Sequence, residues 1–269
     1  MIVNKLITRI FLIIGILLAG YSYFIEPNKL EVTNYTIHDK ELAGVKIVFA
    51  SDFHIKPYGQ KRLEKIVETI NEQNPDVVVS VGDFVCGHTE KSTMHPEKIA
   101  EGLSKVKSKH GFYTTLGNHD GWYDRWYIKE LLEKQNIKVL NNKNVKLNVN
   151  GKEIYIAGVE DMMTAFPNVE DALKGTESPT ILLTHTPDIF PDVPGNVNLT
   201  LAGHTHGGQV RIPIIGPIFT ASNYGNKYAI GLVEENGKKL ITTRGIGVSI
   251  LPFRFNCTPE IVVIEFRQN

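Results

Sequence analysis

The chain has 269 residues, 42% hydrophobic and 22% charged, an ordinary globular composition with enough apolar material for one large core. Lys+Arg and Asp+Glu are equal at 29 each and the pI is near 7.1, so there is no basic excess to track a phosphate backbone and no nucleic-acid partner is expected. Cys86 and Cys257 lie far apart in sequence, which excludes a disulfide framework and a cysteine zinc cluster.

Residues 10–25 are almost entirely apolar, with Lys5 and Arg9 before them and Glu26, Pro27 and Lys29 after. As a helix this run would span about 24 Å, slightly short of a hydrocarbon core of about 30 Å. Leu6 and Ile7 extend the apolar length, and Tyr21, Tyr23 and Phe24 suit an interfacial belt. The expectation is an uncleaved, single-pass membrane anchor over 1–25. The charges before it place the remainder on the non-cytoplasmic side. A cleaved signal peptide, giving a secreted protein, is the alternative. Ala19, Gly20 and Ser22 permit it, but the tyrosines break a clean small-x-small site. A peripheral protein on the cytoplasmic face is the remaining placement. The anchor is followed by a polar linker over 26–43 and one domain over 44–269.

Within that domain, 45–50 and 77–81 read as short buried strands rich in β-branched residues. Between them, Leu63, Ile66, Val67 and Ile70 recur at helical spacing over 60–73, ended by Asn74-Pro75. Helices are expected at 96–106 and 125–135, with a strand at 112–116 between them. Strands follow at 138–140, 145–149 and 154–157, the last two joined in a hairpin at Asn150-Gly151. Further strands are expected at 181–183 and 199–202. A hairpin of 228–233 and 239–242 turns at Glu235-Asn236-Gly237, and 261–266 closes the chain. The first half is β-α-β-α-β and the second is mostly strands. The simplest architecture is therefore an α/β fold of two packed sheets flanked by helices.

Five motifs punctuate this order: Asp52-Phe53-His54, Gly82-Asp83, Gly117-Asn118-His119-Asp120, Thr184-His185 and Gly203-His204-Thr205-His206. They carry Asp, His and Asn side chains, ligands suited to divalent metals. Most follow a buried strand, which gathers the donors at one edge of one sheet in the layout of a two-metal hydrolytic site. If extended, Asp52 and His54 face the same way and both reach one ion. Asp83, with two carboxylate oxygens, is suited to bridge two cations. Asn118 offers a neutral carbonyl oxygen, leaving His119 free to act as an acid, with Asp120 holding its imidazole in one tautomer and raising its pKa. His185 alone reads equally as a capping or core residue. His204 and His206 stand between glycines, which leave room for close approach. His38, His88, His95 and His110 read as surface or loop residues, with an overhang of the cleft as the alternative for His88, five residues past Asp83.

This ordered set resembles the calcineurin-like metallophosphoesterase superfamily over residues 45 to about 210. The resemblance implies a four-layer αββα sandwich with a dinuclear centre. Carried over by position, Asp52, His54 and His206 would hold the first metal, Asp83 would bridge, and Asn118, His185 and His204 would hold the second. His119 would be the catalytic acid, oriented by Asp120. The cofactors implied are two divalent ions, Mn²⁺ foremost, with Mg²⁺, Zn²⁺ and Fe²⁺ as alternatives. The purple acid phosphatases of the superfamily place a Tyr three residues after the bridging Asp; here that position is Cys86, which reads as a small buried hydrophobe and argues against an iron–tyrosinate site. Phe84-Val85-Cys86 also lacks the arginine that protein Ser/Thr phosphatases carry after Gly-Asp.

Beyond the last motif, Gly207-Gly208-Gln209-Val210-Arg211, Tyr224-Gly225, Arg244-Gly245-Ile246-Gly247 and 252–260 resemble the membrane-linked bacterial YkuE/YaeI-type branch, whose relatives include UDP-2,3-diacylglucosamine pyrophosphatases of lipid A biosynthesis. Arg211, Arg244 and Arg254 are candidates to clamp a substrate phosphate, since guanidinium matches it bidentately. The apolar stretch 212–219 reads either as a packed loop or as a lip that meets acyl chains or a membrane surface. The implied reaction is metal-dependent hydrolysis of a phosphodiester or pyrophosphate in a phosphate-containing, lipid-linked substrate. A general phosphodiesterase acting on cell-wall or small-molecule substrates, and a non-catalytic binding scaffold, are the alternatives.

Overall fold

A computed structural model describes residues 2–177 and 179–268. Its first element is helix α1, Ile2–Gly20, continued by a π-helical turn, Tyr21–Ile25, and a 3₁₀ turn, Glu26–Asn28. Over Lys5–Asn28 it is long and apolar enough to cross a membrane, and its apolar stretch is wholly unburied by the rest of the chain. Those 24 residues correspond to about 36 Å of ideal α-helix, more than the 10–25 run alone suggests.

The remainder folds around two six-stranded sheets. The first contains β1 (Glu31–His38), β2 (Lys46–Phe49), β3 (Val77–Ser80), β4 (Phe112–Thr114), β5 (Ile137–Val139) and β14 (Glu260–Arg267), in the order β1-β14-β2-β3-β4-β5. The second contains β6 (Lys143–Val149), β7 (Lys152–Gly158), β8 (Thr180–Thr184), β9 (Leu199–Ala202), β12 (Gly231–Glu235) and β13 (Lys238–Thr242), in the order β12-β13-β9-β8-β7-β6. A small hairpin, β10 (Arg211–Ile212) with β11 (Gly216–Pro217), stands apart. The centre of each sheet is parallel: β2-β3-β4-β5 in one and β7-β8-β9-β13 in the other.

Period-two alternation explains the layers, because successive strand residues face opposite sides. Ile47, Phe49, Val77 and Val79 point between the sheets, where they meet Ile156, Ile181, Leu183, Leu199 and Leu201. Val48 and Val78 point outward, onto the apolar stripes of α2 (Gln60–Glu72), α3 (Pro96–Leu103) and α4 (Asn118–Lys134). On the far side, Ala157 and Leu182 pack against α5 (Val169–Leu173) and the 3₁₀ segment Pro187–Asp192. Both faces of both sheets are thus covered, which is why the central strands read as continuous apolar runs. The result is the expected αββα sandwich.

Three sequence expectations need correction. Residues 26–43 are not a linker, since β1 lies within them and pairs in parallel with β14 from Glu31↔Glu260 to His38↔Arg267. As an edge strand it carries polar residues at Thr33, Asn34 and Thr36, and its burial alternates only from Thr33 to His38. Helix α4 begins at Asn118, well before 125, and breaks at Asp124 (φ −175°, ψ 98°), whose Oδ1 caps the second segment through the N–H groups of Trp126 and Tyr127. Finally, the five motifs lie at the carboxyl ends of strands from two sheets: β2, β3 and β4 in one, β8 and β9 in the other.

The ends of β3 and β4, neighbours in the first sheet, meet at a close backbone contact beneath these motifs. Gly82 has φ +97°, and a Cβ there would lie 2.0 Å from the backbone nitrogen of Gly117. Only glycine satisfies both constraints. Gly82→Ala should therefore destabilise the fold by about 3 kcal/mol, the upper part of the range for single substitutions, read as a lower midpoint in chemical denaturation. A wild-type midpoint would show that the Gly82–Gly117 contact is not a constraint.

Candidate metal centre

The structure brings all seven sequence-predicted donors together in two adjoining groups. In the first, His54 Nε2 lies 3.1 Å from His206 Nε2 and 3.3 Å from Asp83 Oδ2. His206 Nε2 lies 3.6 Å from Asp52 Oδ1, and one donor atom from each of these four residues falls within 4.8 Å of the others. In the second, Asn118 Oδ1 is 2.9 Å from His185 Nε2 and 2.8 Å from His204 Nδ1. The groups share one atom, because Asp83 Oδ2 is also 3.4 Å from His185 Nε2. The other Asp83 oxygen is occupied, accepting the His119 backbone N–H at 2.8 Å.

Local backbone geometry aims these side chains. Asp52 (φ 53°), His54 (φ 42°), Asp83 (φ 55°), His204 (φ 67°) and His206 (φ 50°) are all left-handed, not extended. The simple i, i+2 argument therefore arrives at the right pairing for the wrong reason. Each tight left-handed turn swings its side chain off the strand end toward the centre. Such conformations cost about 1–3 kcal/mol each and persist where surrounding structure enforces them. Gly203 and Gly117 add space: a Cβ on the first would meet Asp52 Oδ2 at 2.3 Å and on the second Asp83 Oδ1 at 2.2 Å.

The electrostatics call for a cation. His185 Nδ1 sits 2.8 Å from the Val81 carbonyl, which can only accept, so Nδ1 donates and neutral His185 presents a lone pair at Nε2. That lone pair faces Asn118 Oδ1, another acceptor, and the two repel unless a proton or metal lies between them. Burial lowers the His185 pKa, but Asp83 and Asp52 outweigh it and raise it to about 10. Burial also opposes ionisation of Asp83, yet His185 and His54 hold its carboxyl well below the usual range. His204 is pushed down to about 3 by burial and by His185, and His206 well below its ordinary value by burial, His54 and Arg254. Asp52 Oδ2 is buried without a hydrogen-bond partner among the described residues. Imidazoles, two carboxylates and an amide oxygen converging in this way fit a pair of divalent cations.

His119 lies against this centre, its ring 4.5 Å from that of His54 and nearly perpendicular to it. Burial pushes its pKa down to about 4, partly offset by Asp83. Asp120 does not touch the ring. Its oxygens instead accept the backbone N–H groups of Asp83 (2.7 Å), Phe84 (2.9 Å), Val85 (3.3 Å) and Gly117 (3.0 Å). It is a clamp on the loop that carries Asp83, because the start of α4 presents it to those amides. Burial and the charge of Asp83 raise its pKa.

The three arginines expected to clamp substrate are engaged within the protein. Arg254 is fully buried, donating to the carbonyls of Gly247, Cys257 and Arg244, with Nη2 3.2 Å from His206 Nδ1. Arg244 pairs with buried Glu260 at 2.7 Å, and Arg211 donates to the Gly207 carbonyl. Their bonds lie within the protein, where they brace the loops around His206. Cys86 lies outside the donor cluster, and burial raises its thiol pKa, against a thiolate ligand. His88 does overhang the centre, its ring 5.9 Å from His119 and 4.9 Å from Trp122. Two neighbours escaped the sequence reading. Trp122, one helical turn beyond His119, has its ring 5.3 Å away, a relation legible only once α4 is known to start at Asn118. Ser249 Oγ lies 3.3 Å from His119 Nε2 and carries no local sequence signal.

Two donor groups sharing one carboxylate, at the strand ends of an αββα sandwich, define a scaffold suited to a dinuclear metal site. A family model described as calcineurin-like phosphoesterase matches residues 45–208, and the chain belongs to that family, as a hydrolase of phosphate esters. It is 34% identical over 260 residues to the uncharacterized metallophosphoesterase YkuE of Bacillus subtilis, covering 92% of this chain and 89% of the relative. It is 28% identical over 255 residues to the phosphodiesterase YaeI of Escherichia coli, covering 91% and 92%. A zebrafish (Danio rerio) transmembrane protein with a metallophosphoesterase domain is 32% identical over 285 residues, covering 97% of this chain and 63% of the relative.

Two substitutions separate bracing from direct roles. Asp120→Asn removes the acceptor from two of the four amides, puts an NH₂ donor in its place and should cost about 1–3 kcal/mol, with loss of bound metal. Full metal content with a specific loss of acid catalysis would instead restore Asp120 as the orienter of His119. Arg254→Met should lower thermal stability, because several buried carbonyls lose their donor. A stable variant altered only in KM would return Arg254 to the substrate.

Proposed function

We propose that this chain is a membrane-anchored phosphodiesterase or pyrophosphatase that acts on an amphiphilic, cell-envelope substrate. The observation that carries the reaction class is the sharing of Asp83 Oδ2 between the two donor groups. In this reading Asp52, His54 and His206 hold one ion, Asn118, His185 and His204 hold the other, and Asp83 touches both. Mn²⁺ is the proposed occupant, consistent with a mixed oxygen and imidazole set. When bound, the ion pair lowers the pKa of water toward neutrality and offsets charge on the phosphoryl oxygens.

The chain's own residues supply the rest. His119 stands over the shared carboxylate and delivers a proton to the leaving oxygen. Its low pKa leaves it neutral in the free protein, and an anionic phosphate beside the ring raises its basicity by the same sign of effect as Asp83. The proton is therefore recruited together with the substrate. His88 and Trp122 wall the His119 side and bound the space for the leaving group. The anchor reading rests on α1 and is consistent with the printed name of the zebrafish relative. Lys5 and Arg9 favour an extracytoplasmic catalytic domain. UDP-2,3-diacylglucosamine is one amphiphilic pyrophosphate to assay, beside lipid-linked phosphodiesters.

The test compares a nitrophenyl phosphodiester with the monoester after chelation and after Mn²⁺ addition. Activity should vanish with the metal, return with Mn²⁺ and favour the diester. His119→Ala should keep its metal and lose about 10²–10⁴ in rate, the usual contribution of one acid–base group. Asp83→Asn should lose metal as well as activity. A metal-loaded, active Asp83→Asn variant, or an unimpaired His119→Ala variant, would refute these assignments.

A further inference from the structure

Two loops beside the metal centre expose large apolar side chains. In the β10–β11 hairpin and its exit, Ile214 is fully exposed, and Ile215 (72%), Ile218 (68%) and Phe219 (68%) nearly so. In the second loop Ile250 is 89% exposed and Leu251 46%. Ile214 (φ 73°) and Ile250 (φ 58°) are left-handed, which is unusual for β-branched residues. The strain holds an apolar side chain at each tip, where glycine or asparagine would relieve it. Single exposed apolar residues need no explanation, but a contiguous group does.

The two loops form one unit. Gln209, buried at the base of the hairpin, donates to the Ser249 carbonyl at 2.7 Å and accepts the Ser249 N–H at 2.8 Å. The hairpin base also pairs with Phe255: Arg211 N donates to Phe255 O and Phe255 N to Gln209 O, both at 2.9 Å. The same segment grips the foot of α1. Arg254 N donates to the Ser22 carbonyl at 3.0 Å, and Glu26, itself buried, accepts the N–H groups of Cys257 (2.6 Å) and Asn256 (3.1 Å). Beside that foot, Tyr23, Phe24 and Ile25 are also exposed. On the other side, Ser249 touches His119. A continuous path of hydrogen bonds thus joins membrane helix, apolar loops and metal centre.

We propose that the 212–219 hairpin and the 250–251 loop insert into the surface of the bilayer that α1 spans, so that the mouth of the metal centre sits at headgroup level. The occupant of this apolar face is a lipid surface, because the face is continuous with the foot of the apolar helix. Headgroup phosphodiesters then reach the centre from within the plane of the membrane. This rests on reading α1 as a membrane anchor, which carbonate-resistant flotation of the full chain tests separately.

The experiment uses the full chain in phosphatidylglycerol/phosphatidylethanolamine nanodiscs, in a Cys86→Ser background. An environment-sensitive nitrobenzoxadiazole label is placed in turn at Ile214→Cys, Ile250→Cys and, at the opposite strand ends, Lys105→Cys. Labels at 214 and 250 should emit to the blue of the label at 105 and be quenched by lipids spin-labelled near the headgroup. In vesicles, the I214D/I215D variant should lose about tenfold or more in turnover of a lipid phosphodiester and keep its turnover of the soluble nitrophenyl diester. Labels at 214 and 250 that match the one at 105 would overturn the proposal even with α1 inserted. Blue-shifted labels that lipid quenchers do not reach, and that respond to protein concentration, would assign the face to a second copy and also overturn it. Loss of the soluble reaction in the wild type would instead sink the catalytic reading and leave the lipid-contact result standing.

Discussion

One carboxylate sets the geometry of the centre. Asp83 must leave Oδ2 open toward His54 on one side and His185 on the other, and those histidines come from different sheets. This is possible because Gly82 and Gly117 let the ends of β3 and β4 approach without side chains between them. It also needs Oδ1 tied to the first turn of α4 and the loop 83–85 held by Asp120. Displacing any of these parts moves Asp83. The nearby carboxyls respond to one another as well. Asp83 is ionised because two histidines outweigh its burial, and its charge then works against ionisation of Asp120. Four backbone donors, which favour the ionised form, offset this only in part. A dication beside Asp83 lowers the energy of both.

Much of this was legible in the sequence, for identifiable reasons. Central strands buried on both faces announce themselves as apolar runs, and the motifs at their ends stand out against them. The seven candidate donors stood out for that reason, and the layering followed from the alternation of strands and helices. The errors have a common physical cause: they concern residues whose partners only the folded chain brings to them. β1 is an edge strand whose only strand neighbour among the described residues, β14, lies more than 200 positions away. Arg254 looks like a free guanidinium until the loop around it closes and provides carbonyls for its N–H groups. Asp120 stands next to His119 in sequence, but the helical start at Asn118 directs the two side chains apart, one onto backbone amides and one over the centre. Sequence adjacency was the wrong guide there, as extended geometry was for Asp52 and His54.

The braces also relate the apolar helix to the chemistry. Arg254 holds the Ser22 carbonyl through its backbone and the 244–247 turn through its guanidinium, and that turn packs on Asp52: a Cβ on Gly245 would lie 2.7 Å from Asp52 Cβ. Arg62 adds a second tie, donating to the carbonyls of Asn28, Lys29 and Ile246. These are hydrogen bonds between ordered groups, several of them buried, not a flexible tether. A tethered domain would sample many heights and tilts above a surface, and its exposed isoleucines would meet lipid only occasionally. If α1 spans a bilayer as proposed, a docked domain would hold one orientation, and the entropy of finding the surface would be lost once. The direction in which the centre opens is then a property of the fold, fixed by the same residues that brace His206 and Asp52.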